Sequence, residues 1–302
     1  MSSFGFVSSL LKVPSWNFFD TIIPDKLRYW HGPLKAGQIT GILPQDRIRG
    51  WGWKLPESTA EIWSNSKKNY LWQRFLAELQ EQDIKILGLD PETLFYPSVI
   101  NKNQYGFPGV SDGKALELLL FISRFSSILR NYDIPPQKAK AMIIWEEGNL
   151  GLTCARLVAR EVRFLALVSP NEKNLERAAE LVFAETGVSP QTYSEVPNDY
   201  RGARIIIKCG RLNKIGLSHC PKRMLRYELF QRSPSISSMN VSLPISVRYK
   251  LGELPLYPAL GEAIIRSYFD LNYGFWFGND LPLERIIKLA VCFKGLGREI
   301  AV

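Results

Sequence analysis

Apolar positions along this chain recur at two spacings, and their alternation predicts most of its elements. Residues 38–43 (QITGIL) read as a strand that ends at Pro44. In 66–82, Tyr70, Leu71, Phe75, Leu76 and Leu79 fall at helical spacing, and the apolar run 84–89 after them reads as a strand. The strongest helix covers 111–132, where Leu116, Leu119, Leu120, Ile122, Phe125, Ile128 and Leu129 recur at three and four. Ser111 or Asp112 can cap it by accepting from a free backbone N–H, and Pro135 and Pro136 stop it. The N-terminal apolar stretch is broken by Ser8 and Ser9 and reads as a surface strand or a helix packed on the first domain.

The second half begins with an apolar strand at 141–145, followed by a turn bearing Gly148 and Gly151. A helical pattern follows (Leu152, Ala155, Leu157, Val158), then a second apolar strand, 162–168, ending at Ser169. This is a β-turn-α-β unit, the shape of the nucleotide-binding half of a Rossmann domain. Residues 172–185 form the next helix, and Gly187 can end it. Short strands are expected at 191–196 and 203–209 (ARIIIKC), with an edge strand at 239–247 interrupted by Pro244. Helices at 258–271 and 283–296 close the chain, the first folding back across a cleft between domains. The fold class is therefore α/β with two domains, the second a Rossmann-type doubly wound parallel sheet. The expected divisions are an N-terminal α/β domain at 1–110, a linking helix at 111–134, the Rossmann-type domain at 135–250 and C-terminal helices at 251–302. A length of 302 residues suits two domains.

The turn after 141–145 carries only half of what a dinucleotide needs. Glycine lets the chain turn tightly and lets its backbone approach a pyrophosphate, which the free N–H groups and the helix dipole then bind. Gly148 and Gly151 stand at G-x-x-G spacing, and Asn149 and Leu150 offer backbone donors. The other reading of the two glycines is close helix–strand packing. The first fingerprint glycine, however, is replaced by Trp145, whose indole would project towards the space a dinucleotide uses. Glu146 and Glu147 add two negative charges beside it. At an effective dielectric near 20, like charges about 4–5 Å apart repel by roughly 3–4 kcal/mol before screening. Those carboxylates can instead act as favourable charges at the helix N-terminus. The second strand ends in Ser169, Pro170 and Asn171, with Lys173 beyond and no acid before Glu172. If a cofactor binds, Ser169, Asn171 and Lys173 suit the 2′-phosphate of NADP better than a free ribose hydroxyl.

Several stretches together resemble the shikimate dehydrogenase/glutamyl-tRNA reductase-like Rossmann group. They are the Gly-bearing turn at 109–113, the long linking helix, KAKAMIIWEEGNLG at 138–151, GQITGILP at 37–44 and YPALGEAIIRSYFD at 257–270. Within that group the nearest resemblance is to amino-acid dehydrogenases and long-chain acyl-carrier-protein reductases. The resemblance implies nucleotide contacts at Gly148, Asn149, Leu150 and Gly151. It also implies that Ala259 stands where the acyl reductases carry a nucleophilic cysteine, and alanine cannot attack a carbonyl. A shikimate-dehydrogenase-type reaction would pair a lysine with an aspartate for proton transfer. Asp112 and Lys114 have the right types; a helix cap and a solvated lysine is the simpler reading.

Charge adds a second theme. Residues 199–250 hold eleven Lys or Arg against Asp199 and Glu228, so this segment carries the whole net excess of +9. A localised excess points to a small anionic ligand or an acidic partner beside it. A nucleic acid is the weaker match, since no recognised module is present and the aromatics there are sparse (Tyr227, Phe230). The four cysteines (154, 209, 220, 292) have no metal-type spacing, and His31 and His219 lack the neighbours of a nucleophilic triad. No metal site is expected. Reduced buried thiols, no apolar run long enough to span a bilayer and no basic leader indicate a cytoplasmic protein. Trp51, Trp53 and Trp63 read as core or interdomain packing, and the patch Tyr268, Tyr273, Phe275, Trp276 and Phe277 suits a domain or subunit interface, which leaves a homo-oligomer open.

Three functional readings follow. The first is a dehydrogenase-derived protein with a weakened or lost dinucleotide site, serving as a ligand-binding or regulatory protein. The second is an active NAD(P)-dependent oxidoreductase on a small carboxylate, amino acid or acyl substrate. The third is a polyanion-binding protein acting through 199–250.

Overall fold

The computed structural model describes residues 3–8, 34–43, 46–54, 65–90, 109–197, 203–210, 212, 215, 224–230, 245–249, 254, 256–271, 278 and 280–297. They form two compact units: residues 1–116, 233–277 and 292–298 in the first, and residues 117–232, 278–291 and 299–302 in the second.

The first unit is built on six strands: β1 (Ser3–Ser8), β2 (Leu34–Leu43), β3 (Asp46–Lys54), β4 (Ile86–Leu89), β5 (Gly109–Ser111) and β11 (Ser246–Tyr249). Their order is β11-β2-β3-β1-β4-β5. β1 runs parallel to β3 and β4, and β4 to β5, while β2 is antiparallel to both β3 and β11. Helix α1 (Asn65–Glu81) turns Phe75, Leu76 and Leu79 into the core, where Phe75 meets Trp53 edge-on with ring centroids 5.3 Å apart. Helix α5 (Pro258–Tyr268) is apolar enough to be buried almost throughout, and it packs on β4, β1 and β5. Gly88 makes the close approach of α5 to β4 feasible, since a Cβ there would sit 2.8 Å from the Ala259 carbonyl oxygen.

Helix α2 (Lys114–Asn131) follows β5 and carries the chain into the second unit. That unit has five strands: β6 (Lys140–Trp145), β7 (Phe164–Val168), β8 (Gln191–Tyr193), β9 (Ile205–Cys209) and β10 (Leu225–Leu229). All neighbours are parallel, in the order β10-β9-β6-β7-β8. Counted within the unit this is 3-2-1-4-5, the order of a Rossmann-type doubly wound sheet, with its switch point between β6 and β9. Helices α3 (Leu150–Val158) and α4 (Glu172–Thr186) make the crossovers β6-α3-β7 and β7-α4-β8. Strands buried on both faces need continuous apolar runs, and β6 and β9 supply them. Met142, Ile144, Ala166, Val168 and Ile206 form one apolar cluster, against which Tyr193, Leu212 and Ile215 pack. Helix α6 (Leu283–Gly295) completes the described elements.

Several expectations change. The N-terminal run is no surface strand: β1 lies between β3 and β4 with Phe4, Phe6 and Val7 fully buried. Ser8 closes the strand and is itself buried. The edge strand expected at 239–247 is Ser246–Tyr249, and it belongs to the first sheet, bonded to β2. The alternation of exposed and half-buried residues along it suits an edge position. The first unit accordingly reclaims 233–250 from the stretch assigned to a Rossmann-type domain at 135–250. Helix α5, expected to cross a cleft, lies on the first sheet. Strands β3, β5 and β10 had no counterpart in the sequence reading. Among the described residues no helix is long and apolar enough to cross a membrane.

Candidate functional site

The carboxyl ends of β6 and β7 hold the residues expected to meet a dinucleotide, and strand pairing brings them side by side, with Ile144 opposite Val168. Gly148 is exposed and has φ +63°, the left-handed turn for which glycine is the usual choice. Asn149 begins α3 without capping it through its side chain. Its Oδ1 instead accepts from the Leu281 N–H at 2.5 Å, and Thr153 Oγ1, one turn on, donates to the Leu281 carbonyl at 2.5 Å. Leu150 and Gly151 are buried.

Trp145 does not stand out over the turn. Its side chain is 0% exposed and packs against Gly151, where an added Cβ would lie 2.1 Å from the indole Cδ2. The ring thus fills the space between the end of β6 and the first turn of α3, and Gly151 makes room for it. The indole Nε1 is buried and has no hydrogen-bond partner. The two acids part company. Glu146 is buried and its Oε1 accepts from the Ile215 N–H at 2.7 Å. Glu147 is exposed.

At the end of β7, Ser169 is fully buried and its Oγ accepts from the Asn171 N–H at 3.4 Å. Asn171 caps α4, its Oδ1 accepting from the Asn174 N–H at 3.1 Å. Lys173 is exposed on the first turn of α4.

The first unit presents a second constellation, at the carboxyl ends of its parallel strands. Ser8, closing β1, donates to Asp90 Oδ2, just past β4, at 2.6 Å, and both are buried. Ser111, closing β5, donates to Glu262 Oε1 of α5 at 2.6 Å. Glu262 Oε2 accepts from the Leu116 N–H at 3.1 Å, so a distant carboxylate caps α2. Asp112 adds a local cap, accepting from the Lys114 N–H at 3.2 Å, and the two side chains form a buried ion pair at 3.0 Å. The lysine expected to be solvated is therefore enclosed. Gly113 between them has φ +79° and leaves room for α5, since a Cβ there would lie 2.2 Å from the Ala259 nitrogen.

Burial pushes the Glu262 carboxyl up to about 7, against the opposing pull of Arg266 and the Ser111 hydroxyl. Arg266 is fully buried and donates to the Val110 carbonyl at 2.9 Å. The result is a buried acid, raised above its ordinary range, that accepts from the backbone at the start of α2. Sequence reasoning missed Ser8, Asp90 and Glu262. Each had a signal: a polar residue ending an apolar parallel strand, or one acid inside the apolar helix PALGEAII.

The basic segment divides between the units at 232–233. Arg204, Arg226 and Arg248 are exposed, and Lys208 pairs with Glu228 at 2.5 Å. Lys222, Arg223, His31, His219, Cys220, Trp63, Tyr273, Phe275, Trp276 and Phe277 lie outside the described residues. Among the described residues no cluster of three His, Cys, Asp or Glu could hold a metal ion.

No family model matches the chain, and no curated protein matches it either. Among solved structures it aligns with L-tryptophan dehydrogenase from Nostoc punctiforme at 12% identity and a TM-score of 0.32, over 75% of this chain and 62% of that one. This chain thus spans less than two thirds of the tryptophan dehydrogenase. It also aligns with shikimate 5-dehydrogenase from Listeria monocytogenes, solved with shikimate and NAD (8% identity, TM-score 0.31, 76% of this chain and 78% of that one). A third alignment is with quinate dehydrogenase from Corynebacterium glutamicum, solved with NAD (10% identity, TM-score 0.31, 99% of this chain and 95% of that one). The Rossmann character of the second unit stands on its own strand order.

Proposed function

We propose that this chain is a dehydrogenase-derived protein whose dinucleotide cradle is weakened or lost, and that it serves as a ligand-binding or regulatory protein. The observation that carries the reading is the state of the first turn of α3. A pyrophosphate needs open backbone donors and free polar side chains there. Here the Asn149 carboxamide and the Thr153 hydroxyl are engaged by Leu281, and the Trp145 indole occupies the space beside Gly151. Two carboxylates flank the turn in place of neutral residues. Only Gly148 retains the exposure and conformation of a phosphate-cradling glycine. These residues fit a nicotinamide dinucleotide poorly.

The ligand we propose is small and polar, seated at the carboxyl edge of the first sheet beside the Ser8–Asp90 and Asp112–Lys114 pairs. Parallel strands expose their ligand sites at that edge. Separately, on the second unit, a small anionic ligand or an acidic partner near 199–250 would meet Arg204 and Arg226 as exposed cations. One arrangement favours the alternative of an NAD(P)-dependent oxidoreductase. Exposed Gly148 and exposed Lys173 lie at neighbouring strand ends, as an NADP 2′-phosphate would require, and the Asp112–Lys114 pair has the types for proton transfer.

A fluorescence titration with NADPH separates the two. No saturable binding through the micromolar range is expected. Saturation at micromolar NADPH, weakened by Lys173→Ala, would overturn the proposal in favour of the oxidoreductase.

A further inference from the structure

One corner of the second sheet is cationic where the rest of the same face is core. Register and alternation put Met142 of β6, Ala166 of β7 and Ile206 of β9 on one face, where they join the buried apolar cluster. On that face β9 also carries Lys208, and β10 carries Arg226 opposite Ile206 and Glu228 opposite Lys208. Arg204 extends the same face below Ile206. Its N–H donates to the Lys140 carbonyl at 3.2 Å, and its own carbonyl accepts from the Leu225 N–H at 2.9 Å, so the ladder continues through it. Arg204 and Arg226 are exposed, and Lys208 is ion paired with Glu228. Along the strands, Arg204, Arg226 and Lys208 follow one another at two-residue intervals, which spaces the cations by about 7 Å each over a total of about 13 Å.

Helix α4 lies on the opposite face. The crossovers through α3 and α4 advance the same way across the sheet, so their right-handedness puts both helices on one side. It is the side of Trp145, which alternates with Ile144 and whose ring meets Gly151 of α3. Outwards, α4 presents Glu172, Glu176 and Glu180, all exposed, at the four-residue spacing that stacks side chains into one stripe. The stripe spans about 12 Å in two equal steps. Like charges at that spacing repel, and Lys173 and Arg177 border the stripe on one side only. Phe183, 57% exposed, continues it towards the end of the helix.

We propose that the glutamate stripe of α4 docks on the cationic corner of a second copy of this chain. The match of charge and spacing chooses this occupant: three carboxylates at steps of about 6 Å meet three cations at steps of about 7 Å. With α4 antiparallel to the strands it covers, Glu172 comes over Lys208, Glu176 over Arg226 and Glu180 over Arg204. Phe183 then passes beyond Arg204 to the half-buried Met224, which precedes β10. The two surfaces lie on opposite faces of one sheet, so the contact is heterologous. Copies join head to tail and do not close as a two-fold pair. Exposed ion pairs are weak and screened by salt, so the association is micromolar and salt-sensitive. The second copy is the acidic partner proposed beside 199–250, and the inference rests on that reading.

Sedimentation velocity of the full chain across the micromolar range, in low and in high salt, tests it. In low salt the mean mass should rise with concentration past twice the 34.4 kDa of one chain, and in high salt it should return to 34.4 kDa. Two double variants reverse the charges: Arg204→Glu with Arg226→Glu, and Glu176→Arg with Glu180→Arg. Each should be monomeric alone, and an equal mixture should associate again, because each then meets its opposite charge. Recovery on mixing separates lost docking from lost folding. A mixture that stays monomeric, or a mass that stops at two copies and ignores both variants, would overturn the proposal. If the parent itself stays monomeric in low salt, the proposal also fails, and labelled polyglutamate then judges the reading beneath it. Saturable polyglutamate binding that Arg204→Glu with Arg226→Glu abolishes would keep an acidic partner of another kind. Absence of that binding would remove the acidic partner as well. An oligothymidine bound more tightly than polyglutamate would assign the corner to nucleic acid instead.

Discussion

The two sheets end differently at the edge where parallel strands present ligand sites. In the first unit β1, β4 and β5 run into Ser8, Asp90, Ser111 and Asp112, all buried and all hydrogen bonded or ion paired. In the second, β6, β9 and β10 run into Trp145, Cys209 and Leu229, an indole, a thiol and an aliphatic chain, all buried. One edge keeps polar groups held in place by one another. The other has been filled by the protein's own side chains. Equivalent topological positions can thus carry hydrogen-bonded polar groups or core side chains, and the strand-terminal residues decide which.

The sharpest way to break this contrast is to empty the filled edge. Trp145→Ala removes one of the largest fully buried side chains and should cost about 3–5 kcal/mol in urea unfolding. Gly151→Ala places a Cβ within 2.1 Å of the indole and should cost about 1–3 kcal/mol by overpacking. In the double variant the methyl occupies part of the vacated space, so the two losses should fall short of additive by about 1 kcal/mol or more. Strict additivity would mean that Gly151 is needed for something other than the ring.

The polar edge is tested through Glu262. Its folded pKa of about 7 lies above the ordinary carboxyl value of 4.5, because burial favours its neutral form. Its contribution to stability is therefore fully present below pH 4.5 and is lost as pH rises towards 7. The window is about 2.5 units wide, or about 3 kcal/mol. Glu262→Gln keeps one acceptor for the Ser111 hydroxyl or the Leu116 N–H and does not titrate. It should be less stable than the parent near pH 5, through one lost hydrogen bond, and should lose the parent's decline between pH 4.5 and 7. A variant with an unchanged pH slope in urea unfolding would place the titration elsewhere.

How far the sequence foretold these two edges depends on whether the information was local. The periodic helices and the β6-α3-β7 unit were legible because each is written in consecutive residues. The replacement of the first fingerprint glycine by Trp145 was legible too, but the expected projection of its indole over the turn was not met, since the ring is buried against Gly151. The direction of the ring was not legible, because the space beneath it is made by Gly151 on a helix that packs only in the folded unit. Glu146 shows the same limit: its donor, Ile215, is distant in sequence. The first edge was least legible. Ser8 meets Asp90, and Ser111 meets Glu262, across long separations that no spacing rule reports. Strand β11 was assigned to the wrong sheet for the same reason, since an edge strand's partner is fixed by tertiary pairing rather than by its own alternation.

The smallest effect concerns the end of β7, which lies between the two treatments. Asn171 was expected to face a cofactor, and its side chain instead closes the free backbone donor of Asn174 at the start of α4. Asn171→Ala should therefore cost about 1 kcal/mol in urea unfolding, whereas Asn171→Asp should cost little, because a carboxylate also caps and suits the positive end of the helix dipole. The same losses should appear with and without millimolar NADP. A loss from Asn171→Ala that grew when NADP was present would show the side chain leaving its cap for a ligand, and would draw this edge back towards the polar kind.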